Sequence, residues 1–148
     1  MQHSLTYQDS AIRAILENSH TIALVGASNK KHRASYRVMK FLQSKEYRVI
    51  PVNPKLTGSL LLGETVYGEL KDIPFAVDMV DIFRNSFAAG QTTDEAIALS
   101  PSVIWMQLDV VNAAAADNAQ ARGIQVIMDR CPKIEYARLG VQHTPVLV

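Results

Sequence analysis

Cysteine is nearly absent from this 148-residue chain. Cys131 stands alone, so no internal disulfide can form and no thiolate metal cage can be built from within, which fits a reducing compartment. Charge of one sign is not in excess either: 15 Lys and Arg face 14 Asp and Glu, a formal net charge of +1. That balance gives no general attraction to nucleic acid or to an anionic membrane, both of which call for a strongly basic face. Met1-Gln2-His3-Ser4 has no basic start followed by an apolar run, and Pro101 and Asp109 interrupt the most apolar later stretch. Neither a secretion signal nor a membrane span is read, and a cytoplasmic location is expected. The histidines His3, His20, His32 and His143 lack metal-ligand spacing, so no metal is expected. No internal repeat, low-complexity linker or break in composition marks a second domain.

What remains is 48% hydrophobic residues, enough for one domain with a real core over 1–148. Five apolar, β-branched runs recur: Ile22 to Val25, Val49 to Val52, Val77 to Phe83, Val103 to Leu108 and Gln125 to Met128. Apolar residues in succession suit parallel strands buried on both faces, and helical stretches between them supply covering layers. The expected fold is α/β, a Rossmann-like doubly wound sheet of about five parallel strands in three layers. Ala11, Ile12, Ile15 and Leu16 predict a helix over residues 8–19. Ser35 is placed as the N-cap of a helix carrying Val38, Phe41 and Leu42, and a third crossover helix opens at Asn112 and stops at Gly123. Residues 1–6 and 140–148 read as extensions of a core over about 8–139.

In open α/β sheets, ligands sit beyond the carboxyl ends of the strands. After the first strand come Gly26, Ala27 and Ser28, then the basic segment Lys30, Lys31, His32 and Arg33. A βα turn of small residues presents backbone N–H groups and a helix dipole to an anion, and Arg33 can clamp a diphosphate bidentately. An ordinary turn with solvated lysines is the plain alternative. The dinucleotide fingerprint Gly-x-Gly-x-x-Gly is missing, because this loop has only Gly26. The second strand ends in Asn53-Pro54-Lys55, where an NAD site would place an acidic residue. Lys55 suits a phosphorylated ribose, although Asn and Pro are also ordinary turn residues.

Several segments in order carry a resemblance: Ile22 to Ser28, Arg33 to Val38, Tyr47 to Pro54, Val80-Asp81-Ile82-Phe83-Arg84, Trp105-Met106-Gln107 and Asp129-Arg130-Cys131-Pro132-Lys133. Over nearly all of residues 8–139 the chain resembles the small stand-alone CoA-binding proteins. Their Rossmann-like domain also forms the nucleotide-binding part of the succinyl-CoA synthetase α subunit. The resemblance implies a CoA site in which the Gly26 to Ser28 turn, Arg33 and Ser35 hold the diphosphate. Asn53, Pro54 and Lys55 would flank the adenosine and its 3′-phosphate, Phe83 and Arg84 would border the adenine, and Gln107 would face the pantetheine path. Tyr36 either reaches the ligand from the first helical turn or packs. Two positions depart from the family pattern. Ala34 replaces a Pro, and Asp109 replaces a Gly, so the turn after the fourth strand is expected to need another or a bent backbone conformation. An inward Asp109 would disfavour an anionic acyl group.

Other residues bear on catalysis. Asp81, costly to bury unpaired, is expected to be fixed by Arg33, Arg84 or backbone amides. Cys131, before Pro132, is either a small packed hydrophobe or a reactive thiol. Ser28 lies outside a Gly-x-Ser-x-Gly elbow and no His is placed to activate it. Trp105 and Met106 read as core, and Asp94-Glu95 as a solvated helix face. With no convincing acid, base or nucleophile, the favoured reading is a module that binds CoA or an acyl-CoA without catalysis of its own, as reservoir, sensor or adaptor. One alternative is the CoA-binding component of an acyl-CoA synthetase, which needs a partner protein. The other is an NADP-dependent oxidoreductase, suited by Lys55. The oligomeric state, a homodimer included, stays open.

Overall fold

Strands of four or five residues whose side chains are apolar on both faces can be satisfied only inside a sheet covered twice. The computed structural model, which describes residues 5–145, has that arrangement. In chain order the elements are α1 (Asp9–Asn18), β1 (Thr21–Val25), α2 (Ala34–Ser44), β2 (Arg48–Val52), β3 (Leu60–Leu61), β4 (Glu64–Thr65), β5 (Met79–Ile82), α3 (Ser86–Ile97), β6 (Val103–Met106), α4 (Ala113–Gln120), β7 (Gln125–Ile127) and α5 (Pro132–Arg138). Five strands form a parallel sheet in the order β2-β1-β5-β6-β7. Ile22, Leu24, Met79 and Trp105 point to one face and pack with α1, α2 and α5; Ala23, Val80, Ile104 and Met106 point to the other and pack with α3 and α4. The chain winds outward from β1 to β2 and returns on the other side of β1 to begin β5. The carboxyl ends of β1 and β5 are therefore the topological switch point, where such sheets bind ligands.

Several expectations are corrected. The connection from β2 to β5 contains no α-helix. It is built from two short 3₁₀ turns, Pro54–Leu56 and Leu70–Asp72, and the small hairpin of β3 and β4. Pro54, Gly58, Gly63, Gly68 and Pro74 spread through this segment deny it a continuous helix. The hairpin turns on Leu62 and Gly63, both at positive φ, the backbone a two-residue turn between twisted strands requires. The N-cap of α2 is Arg33, and Ser35 is buried inside the first turn. The predicted strand ends at Val77, Phe83, Leu108 and Met128 lie outside β5, β6 and β7.

Residues 140–145 are not a loose extension. Val141 is buried, and the His143 ring stacks on Tyr47 at 3.7 Å between centroids. Its ring nitrogens lie 2.9 Å from the Lys45 carbonyl and 2.8 Å from the Ser19 carbonyl. At the other end, Arg130 donates to the Leu5 carbonyl at 2.5 Å, and the Tyr7 hydroxyl accepts the Met128 N–H at 2.8 Å. The extensions expected at 1–4 and 146–148 lie outside the described residues. No helix among the described residues is long and apolar enough to cross a membrane.

Candidate functional site

The site begins where β1 ends. The chain turns at Gly26 with φ of +88°, and a Cβ there would overlap the carbonyl oxygen of Phe83. Glycine alone lets this turn lie flush against the end of β5. The N–H groups of Gly26 and Ala27 both donate to the Val52 carbonyl, at 3.1 and 3.3 Å, and Ala27 is buried. Two amides expected in an anion cradle thus hold the turn to β2. The open donors come later, at the start of α2, where Arg33 caps the helix without a side-chain hydrogen bond and the first-turn amides have no intrahelical acceptor. Ser28 Oγ accepts the Lys30 N–H at 3.1 Å and rounds the loop between them.

A cleft of about 500 Å³ opens at this point. Its walls come from three elements: Gly26, Ser28, Asn29, Lys30, Arg33, Ala34 and Ser35 after β1, Asn53, Lys55 and Leu56 after β2, and Phe83 after β5. Three cations and no carboxylate line it, so the cleft presents a positive field to an anion. Asn53 sets the spacing of the first two walls. Its Nδ2 donates to the Ala27 carbonyl at 2.7 Å, and its Oδ1 accepts the Lys55 N–H at 2.8 Å.

A second cleft of about 340 Å³ adjoins the first and shares Ala34 and Phe83 with it. Its character is different. Ala34, Val38, Phe83, Leu108, Cys131 and Ile134 form most of the lining, which Arg37, Gln107 and Lys133 complete. Gln107 is buried, and its Oε1 has no hydrogen-bond partner among the described residues. A cationic chamber joined to an apolar one can take a ligand that is anionic at one end and largely apolar along the other.

Of the residues expected in the site, Gly26, Ser28, Arg33, Ser35, Asn53, Lys55 and Phe83 line the first cleft and Gln107 the second. Pro54 and Arg84 do not join them; they line a separate hollow with Glu69 and Glu95. Beyond the end of β5 the chain bends at Arg84, and Phe83 and Arg84 open into different hollows. Tyr36 packs against the core beneath α2. The sequence reading missed Asn29, Leu56 and most of the second cleft. Helical spacing alone offered a signal for part of it, since Ala34, Arg37 and Val38 share a face of α2.

Three further positions are settled by the geometry. Asp109 adopts φ of +67°, the left-handed backbone natural to the glycine it replaces. Its N–H donates to Asp129 Oδ1 at 2.7 Å, and its side chain is exposed. Asp81 is fully buried and neither carboxyl oxygen has a hydrogen-bond partner among the described residues. The expected support from Arg33, Arg84 or backbone amides is absent, and burial pushes its pKa well above the ordinary carboxylate value. Cys131 is the N-cap residue of α5, buried yet bordering the second cleft.

Residues 20–137 match the family described as "CoA binding domain". The chain belongs to this CoA-binding domain family. A relative, the uncharacterized protein YneT of Bacillus subtilis (strain 168), is 36% identical over 126 residues, covering 85% of this chain and 92% of YneT. The solved structure of cell-free ID.343 from Thermus thermophilus superposes with a TM-score of 0.86 at 34% identity, over 90% of this chain and 99% of that one. The apo dinucleotide-forming acetyl-coenzyme A synthetase 1 of Ca. Korarchaeum cryptofilum shares the fold, with a TM-score of 0.64 at 23% identity. There, 75% of this chain matches 26% of the synthetase chain.

Proposed function

We propose that this member of the CoA-binding domain family binds CoA or an acyl-CoA across the two joined clefts, without catalysis of its own. The observation that carries the reading is the junction at Ala34 and Phe83 of a cationic cleft with an apolar one. The diphosphate and 3′-phosphate belong with Lys30, Arg33, Lys55 and the open amides of α2, where charge-assisted bonds are strongest. The pantetheine arm then runs past Phe83 into the second cleft, towards Gln107. The lining of both clefts holds no carboxylate and no histidine, and Lys133 and Cys131 are the proton-exchanging groups at the ligand's far end. The fold shared with the acetyl-coenzyme A synthetase supports a second reading, a synthetase-like component. Co-purification with an ATP-grasp partner tests it.

Thermal unfolding with CoA, 3′-dephospho-CoA, NADP⁺ and NAD⁺ at matched concentrations tests the main reading. Ligand at ~100 times its Kd adds about 2.7 kcal/mol, or roughly 5 to 10 °C for a chain of this size. A rise with CoA that is smaller with the dephospho form supports the proposal, and a rise with NADP⁺ alone removes it. Arg33→Ala is expected to weaken CoA binding by about 1.5 to 3 kcal/mol, the range of a charge-assisted phosphate bond. Unchanged affinity by calorimetry in a folded variant takes Arg33 out of the site. Lys55→Ala should cost much more affinity for CoA than for 3′-dephospho-CoA. Equal losses mean that Lys55 does not read the 3′-phosphate.

A further inference from the structure

Five large apolar side chains are exposed among the described residues, and four of them follow the carboxyl ends of neighbouring strands. Phe87 stands in the first turn of α3 after β5, Leu108 and Val111 follow β6, and Ile134 stands in the first turn of α5 after β7. The segments that carry them are fastened together. Ser86 Oγ donates to the Asp109 carbonyl at 3.3 Å and accepts the Val111 N–H at 3.0 Å, and the Asp109 N–H reaches Asp129 Oδ1 in the segment leading to α5. Leu108 and Ile134 also line the second cleft, so this apolar rim continues the cleft outward. Single exposed apolar residues are ordinary on a protein surface. A group of them at the mouth of a cleft marks a surface that a ligand or partner covers.

We propose that the ligand of this site is an acyl-CoA whose acyl group is an uncharged aliphatic chain, seated against Leu108 and Ile134. The inference rests on the CoA reading above: phosphates held in the first cleft send the pantetheine arm past Phe83 into the second, and the group on its sulfur is delivered to these two side chains. Free CoA ends in a small thiol and leaves them in water. An aliphatic chain covers them, and the apolar surface so removed from water stabilises the complex. The charges nearby disfavour an acyl group that ends in a carboxylate. Arg37 and Lys133, the two cations of this cleft, are engaged elsewhere: Arg37 donates to the His32 carbonyl, and Lys133 Nζ lies 5.7 Å from the centre of the Phe41 ring. Asp109 is exposed next to Leu108 and is bonded through its N–H to the Asp129 carboxylate, so the rim carries negative charge that repels an anionic end.

The experiment is calorimetric titration of the purified full chain with CoA, acetyl-CoA, butyryl-CoA, octanoyl-CoA and succinyl-CoA. Full burial of one methylene strengthens binding about fourfold, so a partly open rim is expected to give roughly two- to fourfold per methylene from acetyl to octanoyl. Succinyl-CoA, which has the chain length of butyryl-CoA and a terminal charge, should bind more weakly than butyryl-CoA. Leu108→Ser and Ile134→Ser alter exposed side chains, and each should lower affinity for octanoyl-CoA by a larger factor than affinity for CoA. A flat series from CoA to octanoyl-CoA in a protein that CoA stabilises overturns the acyl proposal and leaves the CoA site standing. Failure of CoA and every thioester to bind overturns both. Succinyl-CoA binding more tightly than butyryl-CoA gives the cleft to Arg37 and Lys133 and overturns the uncharged chain. A dimer in sedimentation that Leu108→Ser separates assigns the rim to a second copy and overturns the proposal as well.

Discussion

Gly26→Ala is expected to lower the unfolding free energy by roughly 3 kcal/mol or more and to abolish CoA binding with it. Two independent costs combine at this position. The backbone φ of +88° lies in a region that charges an L-residue about 1 to 2 kcal/mol. The added methyl would also overlap the Phe83 carbonyl oxygen, a backbone atom at the end of β5 that cannot swing aside as a side chain can. To relieve the overlap, the β1 turn must lift away from β5. The hydrogen bonds from Gly26 and Ala27 to Val52 resist that movement, so the strain spreads into the walls of the cationic cleft. For a chain of this length the loss corresponds to roughly 6 to 12 °C in Tm. Urea unfolding and calorimetry with CoA measure both effects. A variant that melts within about 2 °C of the native protein and binds CoA normally would show that the turn relaxes freely.

The second large effect concerns pH. Asp81 lies at the centre of β5, between Leu24 of β1 and Trp105 of β6, with no cation or hydrogen-bond donor on its carboxyl among the described residues. Burial therefore raises its folded pKa well above the ordinary 3.8. Above that ordinary value the unfolded chain has lost the proton while the folded chain keeps it. Stability must then fall as pH rises, at up to about 1.4 kcal/mol per pH unit, until the folded carboxyl itself ionises. The contribution is greatest below the ordinary value and is lost as pH rises towards the folded pKa, opposite to the behaviour of a salt-bridged carboxylate. Asp81→Asn removes the titration and keeps the shape. The variant's stability relative to the native protein should climb as pH rises above about 4, until the native carboxyl ionises. Parallel stability curves in denaturant titrations across that range would mean that the carboxyl finds a partner in solution.

The family was legible from motifs scattered along the chain, and so was the sheet. Apolar runs at Ile22, Val49, Val80, Ile104 and Val126 predict buried parallel strands, because no other secondary structure hides successive apolar residues with so few of them. The same reasoning failed between Asn53 and Asp78. There the absence of a helix follows from proline and glycine spread through a segment that the sheet's connectivity nevertheless carries from β2 to β5.

Residue types and order by themselves determined the α/β class, the CoA-binding family, the basic segment after β1 and the position of glycine at the first turn. The class, the basic segment and the glycine follow from residue types, local sterics and the period of apolar residues, which act over a few neighbours, while the family rests on the resemblance of motifs in order along the chain. Tertiary structure decided which groups share a chamber. It diverted the Gly26 and Ala27 amides to Val52, turned Arg84 away from Phe83, and left Asp81 without a partner. It also brought Cys131 and Gln107 to the lining of one apolar cleft. Those outcomes depend on strand order and on which face of the sheet each side chain meets, and contacts between residues far apart in the chain exist only once the sheet has assembled.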